Sequence, residues 1–242
     1  MKITILTLFP EMYEGFLNTS MIKRIISKDL VEFKIVDIRD YSIDRYRHVD
    51  DTPYGGGAGM LMRVDVAHHA ILDNATSKTR VLLTSPKGKK YTQDDAKRLV
   101  KEEEILILCG HYEGIDSRIE KYCDEMVSIG DYILTGGELA SMVISDSIVR
   151  LIEESISPES LKEESFEDGL LEYPQYTRPV EYDGEEVPFV LTNGNHKEIR
   201  RFNLKNALKE TLKYRPEMLE GRVFTPEEEK LLIEIQEESC EE

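Results

Sequence analysis

Apolar and polar positions along this chain fall into short runs of strand period separated by longer runs of helical period. Residues 2–9 are mostly apolar, alternate, and have a strand's length. In residues 11–27 the apolar positions Met12, Phe16, Leu17, Met21, Ile22 and Ile25 recur at roughly helical spacing and predict one helix. Residues 30–38 alternate, with Val31, Phe33 and Ile35 set against Glu32 and Lys34, and predict a second strand. Further strand-like runs lie at 81–84, 105–109 and 126–129. Helices are expected at 64–72 and at 91–101, the latter opening on Thr92, Asp94 and Asp95. Strands and helices alternating in this way predict an α/β fold around a mainly parallel sheet.

The second half reads differently. Residues 138–152 form an expected helix that is apolar nearly all round, through Leu139, Met142, Val143, Ile144, Ile148, Val149, Leu151 and Ile152. Such a helix belongs in a core or a subunit interface. Within it, Arg150 follows Asp146 by one turn and is placed for an ion pair. Residues 153–167 are acidic, carry Pro158, and read as a flexible linker. Beyond it, residues 187–191 predict a strand and 197–219 a helix with Ile199, Phe202, Leu208 and Leu212 inward. Thr225 and Pro226 have the sequence of an N-cap and first helical position. The expected division is a larger domain over 1–160, the end of a linker over 161–168, and a small mainly helical domain over 169–242.

Each of the last three strand runs in the first half ends in a polar or glycine-bearing loop: Ser85-Pro86-Lys87-Gly88, Gly110 to Asp116, and Gly130 to Gly137. Loops at the carboxyl ends of parallel strands form the crevice where α/β folds bind small molecules. Gly136 and Gly137 let a backbone approach a ligand closely. A second glycine cluster, Pro53-Tyr54-Gly55-Gly56-Gly57-Ala58-Gly59-Met60, follows a long polar segment. It is suited to cradling phosphate through backbone N–H groups. No Gly-Lys-Ser/Thr follows it, so it is not a P-loop, and its glycines are too close together for the dinucleotide fingerprint.

Composition narrows the classes. No apolar run approaches the length of a membrane span, and the N-terminus reads as a strand rather than a signal peptide. Cys109, Cys123 and Cys240 are odd in number and lack metal-ligand spacing, so neither a disulfide framework nor a zinc site is expected, and the cytoplasm is the expected compartment. The net charge of −17 runs against the basic balance of most nucleic-acid binders. Yet the acids crowd residues 153–164 and 227–242, while Lys23-Arg24, Arg39 to Arg47, Lys87 to Lys90 and Lys197 to Lys205 gather positive charge. Local patches of this kind bind phosphates even on an acidic protein.

Taken together and in order, the stretches Pro53–Met60, Cys109-Gly-His-Tyr-Glu-Gly-Ile-Asp116, Ile129–Glu138, Gly169–Pro179 and Gly194-x-His196 resemble the bacterial tRNA (guanine-N1)-methyltransferase family of the SPOUT class. The resemblance implies a trefoil-knotted α/β domain, an obligate homodimer with its active site between subunits, and the cofactor S-adenosyl-L-methionine, with Mg²⁺ commonly needed. The implied substrate is tRNA, methylated at N1 of guanosine 37, next to the anticodon. That N1 carries a proton, so the site needs a base and a group to stabilise charge developing on O6. By resemblance Glu164 and Arg150 take those roles. The family's acid is typically aspartate, and Asp168 is the alternative. The implied cofactor slot consists of Leu83, Thr84, Ser85, Pro86, Gly110, Tyr112, Glu113, Ile129, Gly130, Asp131, Tyr132, Ile133, Leu134, Gly136 and Gly137. Substrate contacts are assigned to Asp50, Tyr54, Gly57, Gly59, Ser165, Tyr176, Arg178 and His196. Ala58 stands where some relatives have proline, and Phe202-Asn203 where many have Trp-Arg. Three rival readings remain: another SPOUT enzyme with a different RNA target, a catalytically silent RNA-binding scaffold, and an acidic nucleotide-binding protein with no RNA role.

Overall fold

All five strands expected in the first half lie side by side in one parallel sheet. The computed structural model describes residues 1–156 and 164–241, and side chains up to residue 238. Strands β1 (Lys2–Thr7) and β2 (Glu32–Asp37) are joined by β5 (Thr79–Lys90), β6 (Glu104–Leu108) and β7 (Glu125–Ser128), in the order β2-β1-β6-β5-β7. Two minor strands, β3 (Asp50–Asp51) and β4 (Leu61–Met62), pair antiparallel outside the sheet. Successive residues of each central strand face opposite sides. Ile105 and Ile107 join Ile3, Ile5 and Leu82 in one core, while Leu106 and Leu108 join Leu6, Val81 and Leu83 in another. Both faces are therefore buried, which is why these strands read as continuous apolar runs. Helix α3 (Val64–Asn74) covers the second face. Helices α1 (Tyr13–Asn18), α2 (Ser20–Ser27), α4 (Gln93–Leu99) and α5 (Glu138–Val149) cover the first.

The single helix expected over 11–27 is two helices. Thr19 is extended (φ −125°, ψ 157°) and Ser20 has φ 48°. Asn18 and Thr19 donate their side chains to the carbonyls of Glu14 and Gly15, which closes α1 before α2 begins. Strand β5 is longer than the apolar run at 81–84. Its pairing to β7 runs from Leu82↔Glu125 to Thr84↔Val127, then resumes at Lys89↔Val127. Residues 85–88 thus bulge out of the ladder, which is where a strand tolerates Pro86. Helix α5 is not buried all round. Ile144, Ile148 and Val149 are in the core, whereas Leu139 and Val143 are about half exposed.

The chain divides into two compact units, Met1–Ile156 and a second within Ser157–Glu242. Residues 157–163 of the expected linker lie outside the described residues. The second unit packs α6 (His196–Tyr214) against α7 (Pro226–Glu241) around Leu170, Ala207, Leu208, Leu231 and Ile235. The strand expected at 187–191 is a 3-10 turn, Phe189–Leu191, following Pro188, and a small hairpin, β8 (Glu181–Tyr182) with β9 (Glu185–Glu186), precedes it. Helix α6 stops at Tyr214 because Pro216 cannot continue it. Leu212 is exposed rather than inward. Thr225 caps α7 as expected: its Oγ1 accepts from Glu228 N (3.2 Å) and Glu228 returns a carboxylate oxygen to Thr225 N (2.7 Å).

Candidate functional site: a strand-end cavity and an acid-bearing loop

Three adjacent strand ends enclose a cavity of about 360 Å³ in the first unit. The bulge after Thr84 supplies one wall, the loop after β6 a second, and the loop after β7 a third. Leu83, Thr84, Ser85, Pro86, Gly110, Tyr112, Glu113, Ile129, Gly130, Tyr132, Ile133, Leu134, Gly136 and Gly137 all line it. Asp131 does not. Its side chain is 90% exposed and pairs with Lys90 at 3.0 Å. The lining also includes His111, Lys87, Ser128 and Thr135. His111 lies between Gly110 and Tyr112 in the stretch Cys109–Asp116, and that adjacency is the only sequence signal for it.

The third wall is held against the second by backbone contact. Gly137 N donates to Gly110 O at 2.7 Å, and His111 bridges to Gly136. A Cβ on Gly137 would stand 2.1 Å from Thr84 Oγ1 and 2.9 Å from both Cys109 Cα and Gly110 N. Only glycine allows this approach. Tyr112, in the second wall, has φ 58°, a left-handed conformation rare for a non-glycine residue. Such strain persists where surrounding structure enforces it, commonly at functional sites.

The glycine cluster is docked onto the same wall. Strands β3 and β4 carry it between them. Glu113 N donates to Met60 O (3.1 Å), Met62 N to Gly114 O (2.9 Å), and Asp116 N to Met62 O (3.0 Å). A Cβ on Gly59 would meet Glu113 Cγ at 2.2 Å. Burial, and then the Asp50 carboxylate, raises the Tyr112 phenol above its ordinary pKa. So Asp50 and Gly59 stand against the cavity-lining loop, while Gly57 and the fully exposed Tyr54 lie at the loop's open side.

Beneath the cavity lies a buried polar group. Glu138, 2% exposed, accepts from Thr7 Oγ1 at 2.9 Å. Its other oxygen stands 4.0 Å from His111 Nδ1, which is buried without a hydrogen-bond partner. Tyr13, Ser141 and Cys109 continue the cluster. Burial, with the Glu138 charge, pushes the Cys109 thiol up to about 12, so it stays protonated and inert near neutral pH. Thr7→Val is isosteric but removes the Glu138 donor. It is expected to destabilise the protein by about 1–3 kcal/mol, read as a lower urea midpoint.

The second unit holds a separate cavity of about 480 Å³ between residues 164–173 and one face of α6. Glu164, Asp168 and His196 all line it, joined by Tyr173, Ile199, Arg200 and Asn203. On α6 those positions recur at three- and four-residue spacing, so the helix period alone would have grouped them with His196. Ser165 is a staple of the loop: its Oγ accepts from Glu172 N at 2.9 Å. Tyr176 and Arg178 are exposed and outside this lining. Arg150 belongs to the first unit, at the C-cap of α5, where its N–H donates to Asp146 O and its carbonyl accepts from Ser155 Oγ.

A family model described as tRNA (Guanine-1)-methyltransferase TrmD matches residues 1–221. Among curated relatives, a tRNA (guanine-N(1)-)-methyltransferase of Fusobacterium nucleatum is 51% identical over 239 residues, covering 98% of this chain and 99% of the relative. One from Clostridium acetobutylicum is 50% identical over 234 residues, covering 96% of each. One from Halalkalibacterium halodurans is 48% identical over 241 residues, covering 97% and 98%.

Proposed function

The chain belongs to the tRNA (guanine-1)-methyltransferase family, and on that premise we propose that it transfers a methyl group from S-adenosyl-L-methionine to N1 of guanosine 37 in tRNA. The observation that carries the reading is the strand-end cavity, with the glycine loop 53–60 bonded to its wall. The cavity fits the cofactor in kind. Its volume lies within the range of small-molecule sites. Leu83, Ile129, Leu134 and Ala140 give it apolar surface, and the glycine-rich walls let a ligand approach the backbone closely. When bound, the cofactor supplies an electrophilic methyl on a cationic sulfur.

The chain's own residues supply the rest. Glu164 takes the N1 proton, which makes N1 nucleophilic at neutral pH. Arg150 neutralises charge gathering on O6. The loop 53–60, with Asp50 behind it, holds the base extruded from its stack. Tyr54, Tyr176, Arg178 and His196 are proposed to contact the base or neighbouring phosphates. The homodimer is part of the proposal. Leu139 and Val143 on α5, with Ile133 at 85% exposure, offer apolar surface for it. The family's knotted topology is likewise proposed for the first unit. Any Mg²⁺ is proposed to be held by fewer carboxylates together with the substrate's own oxygens, because among the described residues no three His, Cys, Asp or Glu side chains gather as a metal site. Nor, among them, is any helix long and apolar enough to cross a membrane, and a cytoplasmic location is proposed to match the tRNA substrate.

The test uses labelled S-adenosyl-L-methionine and two tRNA transcripts, one with guanosine at position 37 and one with adenosine. Label is expected only in the first, recovered as N1-methylguanosine. Cofactor binding without label in either would favour the silent RNA-binding scaffold. Label at another atom or position would favour a different SPOUT enzyme. Binding to tRNA is also expected to weaken steeply with salt, because counterions return to the phosphates. Lys87, Lys89 and Lys90 each sit beside an acid, Glu120, Asp95 and Asp131 respectively. The Lys87 and Lys90 pairs are exposed and weak enough to exchange for phosphate, whereas Asp95, the partner of Lys89, is buried. A salt-independent affinity would count against an RNA substrate and for a nucleotide-binding protein.

A further inference from the structure

We propose that Arg222 is a positioning residue for methyl transfer: together with Glu228 it clamps the Asp168 carbonyl and so fixes the loop that presents Glu164. The inference rests on Glu164 being the base, as argued above.

The loop over residues 164–172 is held in a conformation it would not adopt by itself. Phe166 (φ 71°) and Gly169 (φ 82°) are both left-handed, and for phenylalanine that region is sparsely populated. Local bonds fold the loop on itself: Glu167 N donates to Glu164 O (3.2 Å), Phe166 N to Leu170 O (2.9 Å), and Leu170 N to Asp168 Oδ1 (3.2 Å). Side chains far away in sequence anchor it at two points. Thr211 Oγ1 accepts from Leu171 N at 2.8 Å, at the loop's exit. Arg222 Nη1 donates to Asp168 O, at the loop's apex.

The arginine is itself fixed. Its Nη2 pairs with Glu228 at 2.7 Å, where the two side chains are 19% and 7% exposed. Glu228 is in turn bound by the capping box with Thr225 at the start of α7. Burial works against the Glu228 charge, but the Thr225 backbone and Arg222 more than offset it and hold its carboxyl below the usual range. The clamp therefore runs from the α7 N-terminus through Glu228 and Arg222 to the apex of the acid loop. It is close-fitting: a Cβ on Gly169 would lie 3.0 Å from Arg222 Nη1. Arg222 Nε is buried with no hydrogen-bond partner. A buried ion pair with an unmet donor is a poor source of stability. What it supplies here is direction, through a planar fork that binds two acceptors at once. A lysine ammonium lacks that fork.

Arg222→Lys, Arg222→Ala and Glu228→Gln are to be compared with the wild-type full chain and with Glu164→Gln. The substrate is the guanosine-37 transcript. The readouts are kcat, KM for tRNA, S-adenosyl-L-methionine affinity and melting midpoint. For Arg222→Lys, kcat is expected to fall about tenfold to a hundredfold, as for a misplaced catalytic group. Cofactor affinity and melting midpoint are expected to stay at wild-type values. Arg222→Ala should lose at least as much, and Glu228→Gln less, because its amide oxygen still serves the cap. A wild-type kcat in both Arg222 variants, with Glu164→Gln inactive, overturns the inference alone. So does a loss in Arg222→Lys shared equally by kcat, cofactor affinity and melting midpoint, which would make the arginine a fold residue only. If Arg222→Ala fails to fold, Arg222→Lys and Glu228→Gln decide by the same criteria. A wild-type rate in Glu164→Gln removes the base assignment, and the positioning role with it.

Discussion

Glu164→Gln is expected to slow methyl transfer by roughly two to four orders of magnitude, the usual contribution of a general base, while S-adenosyl-L-methionine affinity stays near wild type. The substitution keeps the side chain's length and one hydrogen-bond acceptor but removes its ability to take a proton. The cofactor cavity is built from the first unit, so nothing in its lining changes. Glu164 lines the cavity of the second unit together with Asp168, and the geometry separates the two acids. Asp168 spends Oδ1 on the turn by accepting from Leu170 N, and its carbonyl is held by Arg222. It is the apex of the loop's architecture. Asp168→Asn keeps an oxygen for Leu170 N and is expected to retain most activity. The pair of variants therefore distinguishes the two acids by single-turnover rates on the guanosine-37 transcript. An active Glu164→Gln beside an inactive Asp168→Asn would transfer the base role to Asp168. Glu164→Asp adds a length test: it shortens the reach by one methylene toward the aspartate typical of the family, and a rate well above that of Glu164→Gln is expected if a carboxylate is what the position needs.

The parallel sheet was legible because each central strand is buried on both faces, which leaves an unbroken apolar run such as Ile105 to Leu108. The bulge at residues 85–88 was not, since polar residues there interrupt the run although the strand resumes at Lys89. Helix 11–27 failed for the opposite reason. Its apolar stripe is continuous in sequence because α1 and α2 cover the same face of the sheet. The break at Thr19 comes from side-chain bonds to the preceding turn that hydrophobic period does not register. At the site, glycine-rich strand ends marked the walls of the cavity. Asp131 belongs to the slot that the resemblance implies, and its side chain turns outward to Lys90. The Arg222 clamp was invisible because its bond to Asp168 spans 54 residues and no local pattern announces it. Loops whose shape depends on distant partners carry Tyr112 and Phe166 in left-handed conformations, and propensity gives no warning of either.

Gly137→Ala tests the walls themselves. Gly137 has φ −82° and ψ −5°, an ordinary helical conformation that alanine adopts freely, so backbone strain plays no part. The cost is steric. The added methyl would press on the Thr84 hydroxyl, which is bonded to Leu108 O and Gly110 N, and on Cys109 Cα and Gly110 N, which are backbone. Cys109 is fully buried at the end of a central strand, so relief must come from the loop 130–137 moving off the loop after β6. That movement lengthens the Gly137 N to Gly110 O bond, now 2.7 Å, and opens the cavity along its third wall. Overpacking of this kind costs on the order of 1–3 kcal/mol. Where the relief is taken as a displaced wall, the cost appears as a loss of cofactor affinity of roughly five- to 150-fold. Calorimetric titration with S-adenosyl-L-methionine measures it directly. The sheet's core lies below the contact, so the far-ultraviolet circular dichroism should be unchanged. An unaltered affinity would mean that the wall formed by residues 130–137 does not touch the cofactor, and the binding site would have to be sought elsewhere in the chain.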